Sequence, residues 1–460
     1  MPKELILVNL IGLGFLFLFL GFDVKAMIEE NMLHSVAHVD PERMNPHAGY
    51  YGLALNYGTY AVICLITSYL VDVLGSKRSL VLAGIIFAIH IGLFLFLNSY
   101  VYYGISALMG LGISLSWTAQ GVYLKEITGK ENHLRNSAIC WAVNLLSLPI
   151  GGLLLLGLER FTVQENLDFM SISTIRLIIC ALLIAVSLSI PVFWALPNNS
   201  GPIKAISFVE MKKAFISNMD ILKDSRMQLM IPGFLFIGFE TGYWVTVYPT
   251  CLQFIKALII HGGALHITAY YSISVGLGQV TISLLISWMS KRFASTGYMT
   301  SILLALPIHL GAFILIVLCV PSESKFHPTY DTAFIETNLT TTMIISFLLG
   351  AGDGAWNSIR TAICTSQFSS RTSQSVSMSR LFQSIGCSLA IVLGSVSNLY
   401  FDMGLLLVLL ILTVICFLFL NNRYLIPKRE KNIEDPLNMV DGNNHHPFVA
   451  SIHPIGIDKN

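Results

Sequence analysis

Four charged side chains, Asp23, Glu240, Asp353 and Arg380, stand within or at the edge of apolar runs, where each needs water, a partner or a functional role. Asp23 and Glu240 close two near-duplicate stretches, Phe-Leu-Phe-Leu-Gly-Phe-Asp and Phe-Leu-Phe-Ile-Gly-Phe-Glu, which agree at five of seven positions 217 residues apart. By the repeat the two carboxyl groups hold equivalent positions and are expected to approach one water-filled space, where partial burial and a neighbouring like charge favour the proton binding that proton coupling requires. The plain alternative is that Asp23 ends its run at the outer surface and Glu240 is structural. Asp353 falls near the middle of an apolar run and Arg380 early in the next. An unpaired charge at such depth costs about 2.5 to 3.5 kcal/mol. The two are therefore expected either to pair or to meet cavity water or other partners. All four are candidates for solute binding or coupling. No catalytic constellation is present, so no enzyme activity and no catalytic residue is expected. The eight cysteines are scattered singly without paired metal spacing, which predicts packing roles, no metal site and no cofactor. Cys251 and Cys319 fall near outer helix ends and are considered for a bond that sequence cannot assign.

The elements that must hold these charges are membrane spans. The chain of 460 residues is 54% hydrophobic and only 12% charged, with a mean hydropathy of +0.70, well away from a soluble composition. A net charge of +1 offers no basic surface for nucleic acid. The first apolar run, 5–22, is long enough to cross the hydrocarbon core and lacks the flanks of a cleaved leader, so it reads as a retained helix. An acidic stretch over 24–46, with Glu29, Glu30, Asp40 and Glu42, reads as an outer loop. Further spans are expected over 49–71, 79–97, 100–123, 136–158 and 173–196, then over 229–247, 261–288, 296–320, 341–363, 375–397 and 403–420. Twelve spans in two sets of six predict an all-α polytopic membrane protein. Its parts are a six-helix half over 1–196, a cytoplasmic linker over 197–227, a second half over 228–420 and a cytoplasmic, disordered-type tail over 421–460. Within the linker, 208–224 reads either as a helix lying on the inner membrane face or as a solvated connection. About 21 of the 27 Lys and Arg fall on one side of this map, which places both termini in the cytoplasm but does not say of which membrane. The outward-facing sequon Asn338-Leu-Thr340 makes Asn338 a glycosylation candidate.

The repeat extends beyond the opening pair. Lys77-Arg78 returns as Lys291-Arg292, Gly110-Leu-Gly112 before Trp117 returns as Gly350-Ala-Gly352 before Trp356, and Arg135-Asn-Ser137 returns as Arg371-Thr-Ser373. The offset grows from about 217 to about 240, matching an inserted outer loop over 321–340. Paired six-helix halves around a midplane site are a secondary-transporter plan.

Asp72-Val-Leu-Gly75-Ser-Lys77-Arg78 resembles the loop that the major facilitator superfamily carries between helices two and three, with Ser68 where the first glycine is expected. Ile231-Pro-Gly233, Gly238-Phe-Glu240, Trp117-Thr-Ala-Gln120-Gly121, Trp141-Ala142, Gly350-Ala-Gly352-Asp353-Gly-Ala-Trp356-Asn357 and Phe382-Gln-Ser-Ile-Gly386 are similar to the uncoordinated-ninety-three-like family of that superfamily, in particular its major-facilitator-domain animal members. The chain departs at Ser106, where transporters commonly carry an arginine. The resemblance implies the major facilitator fold and a conformational latch at Asp72, Gly75, Lys77 and Arg78, in which Asp72 faces the start of helix eleven near Gln374 and Ser375. It implies two functions. One is a facilitator of an unidentified small solute. The other is a non-transporting accessory subunit of a partner membrane protein, as family members associated with potassium channels or innate immune receptors suggest. In both, the lipid bilayer is the surrounding partner.

Overall fold

The computed structural model describes residues 3–128, 133–162, 169–198, 201–259, 263–292, 299–368 and 370–425. Among them the chain is helical almost throughout: α1 Lys3–Val39, α2 Ala48–Ile63, α3 Thr67–Leu74, α4 Ser76–Gly92, α5 Ser99–Ile127, α6 His133–Leu145, α7 Ser147–Glu159, α8 Ile172–Trp194, α9 Phe208–Asp220, α10 Ser225–Gly242, α11 Tyr248–Phe254, α12 Lys256–Ile259, α13 Gly263–Arg292, α14 Met299–Cys319, α15 Leu339–Gln367, α16 Thr372–Val396 and α17 Leu399–Leu420. Nine helical stretches among the described residues are long and apolar enough to cross a membrane, or ten when α2 and α3, bent by 75° at their junction, are one span. α5 and α15, at 29 residues each, are also long enough to cross, but they carry more polar groups. Large apolar side chains such as Ile184, Leu284, Leu303 and Val396 stay exposed on the outer faces, as lipid-facing positions do.

The chain divides into two compact units, 1–417 and 418–460, the second holding the end of α17 and a π-helical turn, Asn421–Leu425. Within the first unit, α1 packs on α6, α7 and α8, and α4 on α5 and α8; after α9, α10 packs on α16, and α15 on α13 and α14. Two seams, α2 with α16 and α7 with α13, join the helices before α9 to those after it. An aromatic cluster of Phe15, Phe19, Phe87, Trp117 and Phe193 fills the first set, with edge-on contacts such as Phe19 on Phe87 at 5.9 Å.

Several helices are broken where the site needs them broken. α10 passes through a π-helical turn, Tyr243–Val247, before Pro249 opens α11 without an N–H to donate. The wide turn sets Trp244 and Val245 against the interior. Gly75 joins α3 to α4 at φ 87° and ψ 148°, a conformation essentially reserved for glycine.

The structure corrects the reading of the acidic stretch after residue 23. Over 24–39 it is not a loop, since α1 runs on to Val39 and Lys25, Glu29 and Glu30 are buried; the turn is confined to 40–47, where Asp40 and Glu42 are exposed. The cause is partnership rather than hydropathy. Lys25 Nζ donates to Glu29 Oε2 at 2.6 Å one helical turn on and to His90 Nε2 at 2.8 Å, while Tyr102 donates to Glu29 Oε1 at 2.8 Å. Glu30 accepts the backbone N–H of Tyr50 at 2.9 Å and stands 3.0 Å from His47 Nδ1, holding the first turn of α2. Cys251 and Cys319 are both buried free thiols, so the considered bond is absent. The linker contains α9, capped by Ser207 and carrying exposed Phe208, Val209 and Ile216.

Candidate functional site

A cavity of about 120 Å³ lies between the two helix sets. α1 contributes Asp23, α2 Tyr57 and Tyr60, and α5 Trp117; from beyond α9 come Asp353 on α15 and Arg380 and Gln383 on α16. The backbone is tied across the sets on both sides of this space. At one end Ser377 Oγ donates to Cys64 O at 2.9 Å, and Asn218 of α9 donates to Leu65 O at 2.7 Å. At the other, Gln253 donates to Met27 O at 2.7 Å, Tyr50 OH to Lys325 O at 3.1 Å, and His266 Nδ1 stands 2.8 Å from Glu159.

Each charge expected from sequence has a definite place. Asp23 lines the cavity, half-buried, with no hydrogen bond or ion pair to another described residue. Asp353 is buried and accepts from Gln279 Nε2 at 2.8 Å and from Asn357 Nδ2 at 2.9 Å. Arg380 donates to Gln383 Oε1 at 3.1 Å and lays its guanidinium 4.9 Å from the centre of the Trp117 ring. Asp353 and Arg380 therefore line one space through separate partners, and among the described residues they form no ion pair. Each charge is hydrogen-bonded by amide side chains rather than by the other.

Glu240 does not line the cavity. It is buried behind it, Oε1 lying 3.5 Å from His309 Nε2, with no hydrogen-bond partner for either carboxylate oxygen among the described residues. His309 Nδ1 lies 3.3 Å from Trp356 Nε1, which can only donate, and 3.3 Å from Ala305 O, which can only accept, so the two contacts call for opposite tautomers of a neutral ring. The ring fits because residue 352 is glycine: a Cβ there would sit 2.0 Å from His309 Cε1. So secluded a carboxyl and imidazole are cheapest to bury when the pair carries no net charge. Asp353 lines the cavity together with Asp23.

Among the latch candidates, Asp72 is exposed and lines a groove with Ser76, Glu126 and Lys204, and Arg78 donates to Leu74 O at 3.1 Å and Gly201 O at 2.9 Å. Lys77 stands 5.4 Å over the Trp194 ring. The start of α16 is met instead by α9: Arg371 pairs with Asp220 at 3.3 Å and Gln374 contacts Ser217 at 3.4 Å. Asn338 is exposed and caps α15 by accepting from Thr341 N at 2.9 Å. The basic pair Lys291-Arg292 and Arg135 have side chains outside the described set.

Two charged groups escaped the sequence reading. Arg360, on α15, is only 5% exposed and donates to Gln383 Oε1. Lys325 is buried in a cluster with Asp402 and Ser397. The i to i+7 spacing of Asp353 and Arg360, two turns along one helix face, was the available signal for the first; nothing local marks the second.

The profile of the family described as ion channel regulatory protein UNC-93 matches residues 40–418. The chain belongs to the UNC-93 family. UNC93-like protein MFSD11 of Xenopus tropicalis is 24% identical over 433 residues, covering 91% of this chain and 96% of the relative, and its counterpart in Xenopus laevis is 23% identical with the same coverage. Among solved structures, a POT family transporter in complex with 5-aminolevulinic acid superimposes with a TM-score of 0.65 at 12% identity, covering 92% of this chain and 97% of that one. The nucleoside transporter NupG gives 0.60 at 13% identity, covering 90% and 100%, and a bacterial homologue of the lysosomal transporter Spinster gives 0.61 at 12% identity, covering 92% and 98%. These likenesses establish the major facilitator fold for this UNC-93 family chain, an integral multi-pass membrane protein of a non-enzymatic family.

Proposed function

We propose that this UNC-93 family protein passes a small solute across its membrane by alternating exposure of the central cavity, with 1–196 and 228–420 as the moving halves and 197–227 as their linker. The observation that supports this reading most strongly is the cavity lining. Charged and hydrogen-bonding side chains from both helix sets converge on one interior space, a costly arrangement that a purely structural bundle does not require. In this reading Asp23 and Asp353 meet solute or protons, and Glu240 with His309 is the coupling reserve behind them. Both termini lie in the cytoplasm, in keeping with the distribution of basic residues. The test is flux in liposomes holding the purified protein, under imposed solute and proton gradients. Uptake that Asp23→Asn abolishes upholds the reading, and uptake equal to that of empty liposomes overturns it.

The description attached to the UNC-93 family favours a second reading, an accessory subunit that regulates another membrane protein without transport of its own. Inert liposomes, together with stoichiometric co-purification of a channel or receptor, would select it.

A further inference from the structure

We propose that Arg360, Arg380 and Gln383 form a binding subsite for a small organic carboxylate; this rests on the reading of the central cavity as a solute space. Arg360 and Arg380 both donate to a single neutral oxygen, Gln383 Oε1. Among the described residues neither guanidinium forms an ion pair. The acid that shares the cavity, Asp353, already holds Gln279 and Asn357. Two positive charges thus converge inside the membrane on one amide oxygen, which carries a dipole where a full negative charge would suit them better.

The geometry selects the ligand class. Arg380 and Gln383 line the cavity, while Arg360 lies behind them at 5% exposure. The Trp117 face, 4.9 Å from the Arg380 guanidinium, holds that planar fork from the opposite helix set. A guanidinium has five N–H donors, and Arg380 uses one on Gln383, so a planar two-oxygen anion has a fork available to it. The neighbouring carboxyls, Asp23 and Asp353, oppose a doubly charged phosphate in the same space. A volume of about 120 Å³ suits a small ligand. Gln383 Nε2 also reaches Thr241 Oγ1 at 3.4 Å, so its side chain can remain tethered to α10 when an anion displaces its oxygen from Arg380.

The experiment uses the purified full chain in detergent and follows tryptophan fluorescence, since Trp117 lies against Arg380. The probes are the monocarboxylates sodium acetate, lactate and propionate, with inorganic phosphate, glycerol and putrescine for comparison. At least one carboxylate is expected to give a saturable response that glycerol and putrescine do not. Arg380→Gln is expected to weaken it at least about tenfold, and Arg380→Lys to weaken it less, because charge survives without the fork. A measurement on the unmodified protein guards against a variant that fails to fold: the same carboxylate should protect Arg380 from phenylglyoxal, as mapped by mass spectrometry. No saturable response and no protection with any of the three carboxylates overturns the subsite, as does saturation by phosphate alone or unchanged affinity in a folded Arg380→Gln protein. Carboxylate binding without flux in liposomes upholds the subsite while refuting transport. Flux of a neutral or cationic solute without carboxylate binding does the reverse.

Discussion

Lys25 and Glu29 form a fully buried ion pair, enclosed by hydrogen bonds to His90 and from Tyr102. Removing one member leaves the other charge buried without compensation. Lys25→Met is therefore expected to destabilise the protein by about 3 to 5 kcal/mol, and adding Glu29→Gln to recover most of the loss. Thermal unfolding of the purified single and double variants checks this; equal destabilisation in both would deny the pair its role. Glu240 calls for a different substitution. Glu240→Gln keeps the side-chain volume, removes the titrating group and leaves His309 a neutral neighbour, so the variant should reach its membrane and unfold near the temperature of the parent. Under the transport reading its flux should no longer vary with pH, and a pH profile identical to the parent's would make Glu240 a structural residue.

At the scale of elements, α10 begins with its own device. Asp224 caps it by accepting from Arg226 N at 2.9 Å, while the Arg226 guanidinium grips both carboxylate oxygens, at 2.7 and 3.1 Å. Arg226 also donates to Gln367 O at 2.7 Å, so the cap fastens α10 to the end of α15. The Arg226 hydrogen bonds hold the Asp224 carboxyl below its ordinary value of 3.8, against a smaller opposing effect of burial. A carboxyl lowered in the folded state contributes stability above pH 3.8, and that contribution is lost as pH falls through the lower folded value. Asp224→Ala should cost about 0.5 to 2 kcal/mol at neutral pH. Asp224→Asn should retain much of the cap but remove this part of the acid sensitivity. Unfolding midpoints measured at neutral pH and below pH 4 separate the two effects.

For the whole molecule, orientation is the quantity on which every vectorial statement depends. Ser324, in the turn before α15, is buried and unsuited to an inserted epitope, whereas Tyr330 and Phe334 stand 70% and 74% exposed. An epitope between Thr332 and Ala333 should be reachable from the non-cytoplasmic side, and epitopes at both termini should be protected until the membrane is permeabilised. The opposite pattern would invert the map and make any imposed gradient in the flux assay run the wrong way.

Hydropathy alone determined that this is a membrane protein, because a chain with so few charges has too little polar surface to face water. The internal repeat determined the doubled plan. It extends even to α5 and α15, both 29 residues long and displaced by the expected offset of about 240. Local composition did not determine where α1 ends, since Lys25, Glu29 and Glu30 look like loop residues until His90, Tyr102 and Tyr50 supply their partners from other helices. Nor did it determine which charges meet. Asp353 and Arg380 share a cavity but hydrogen-bond to amides instead of to each other, Glu240 is turned away to His309, and Arg360 appears only once α15 and α16 are packed together. Burial cost is readable from a single chain segment; the partner that offsets it is chosen by three-dimensional proximity, and only the tertiary structure decided that.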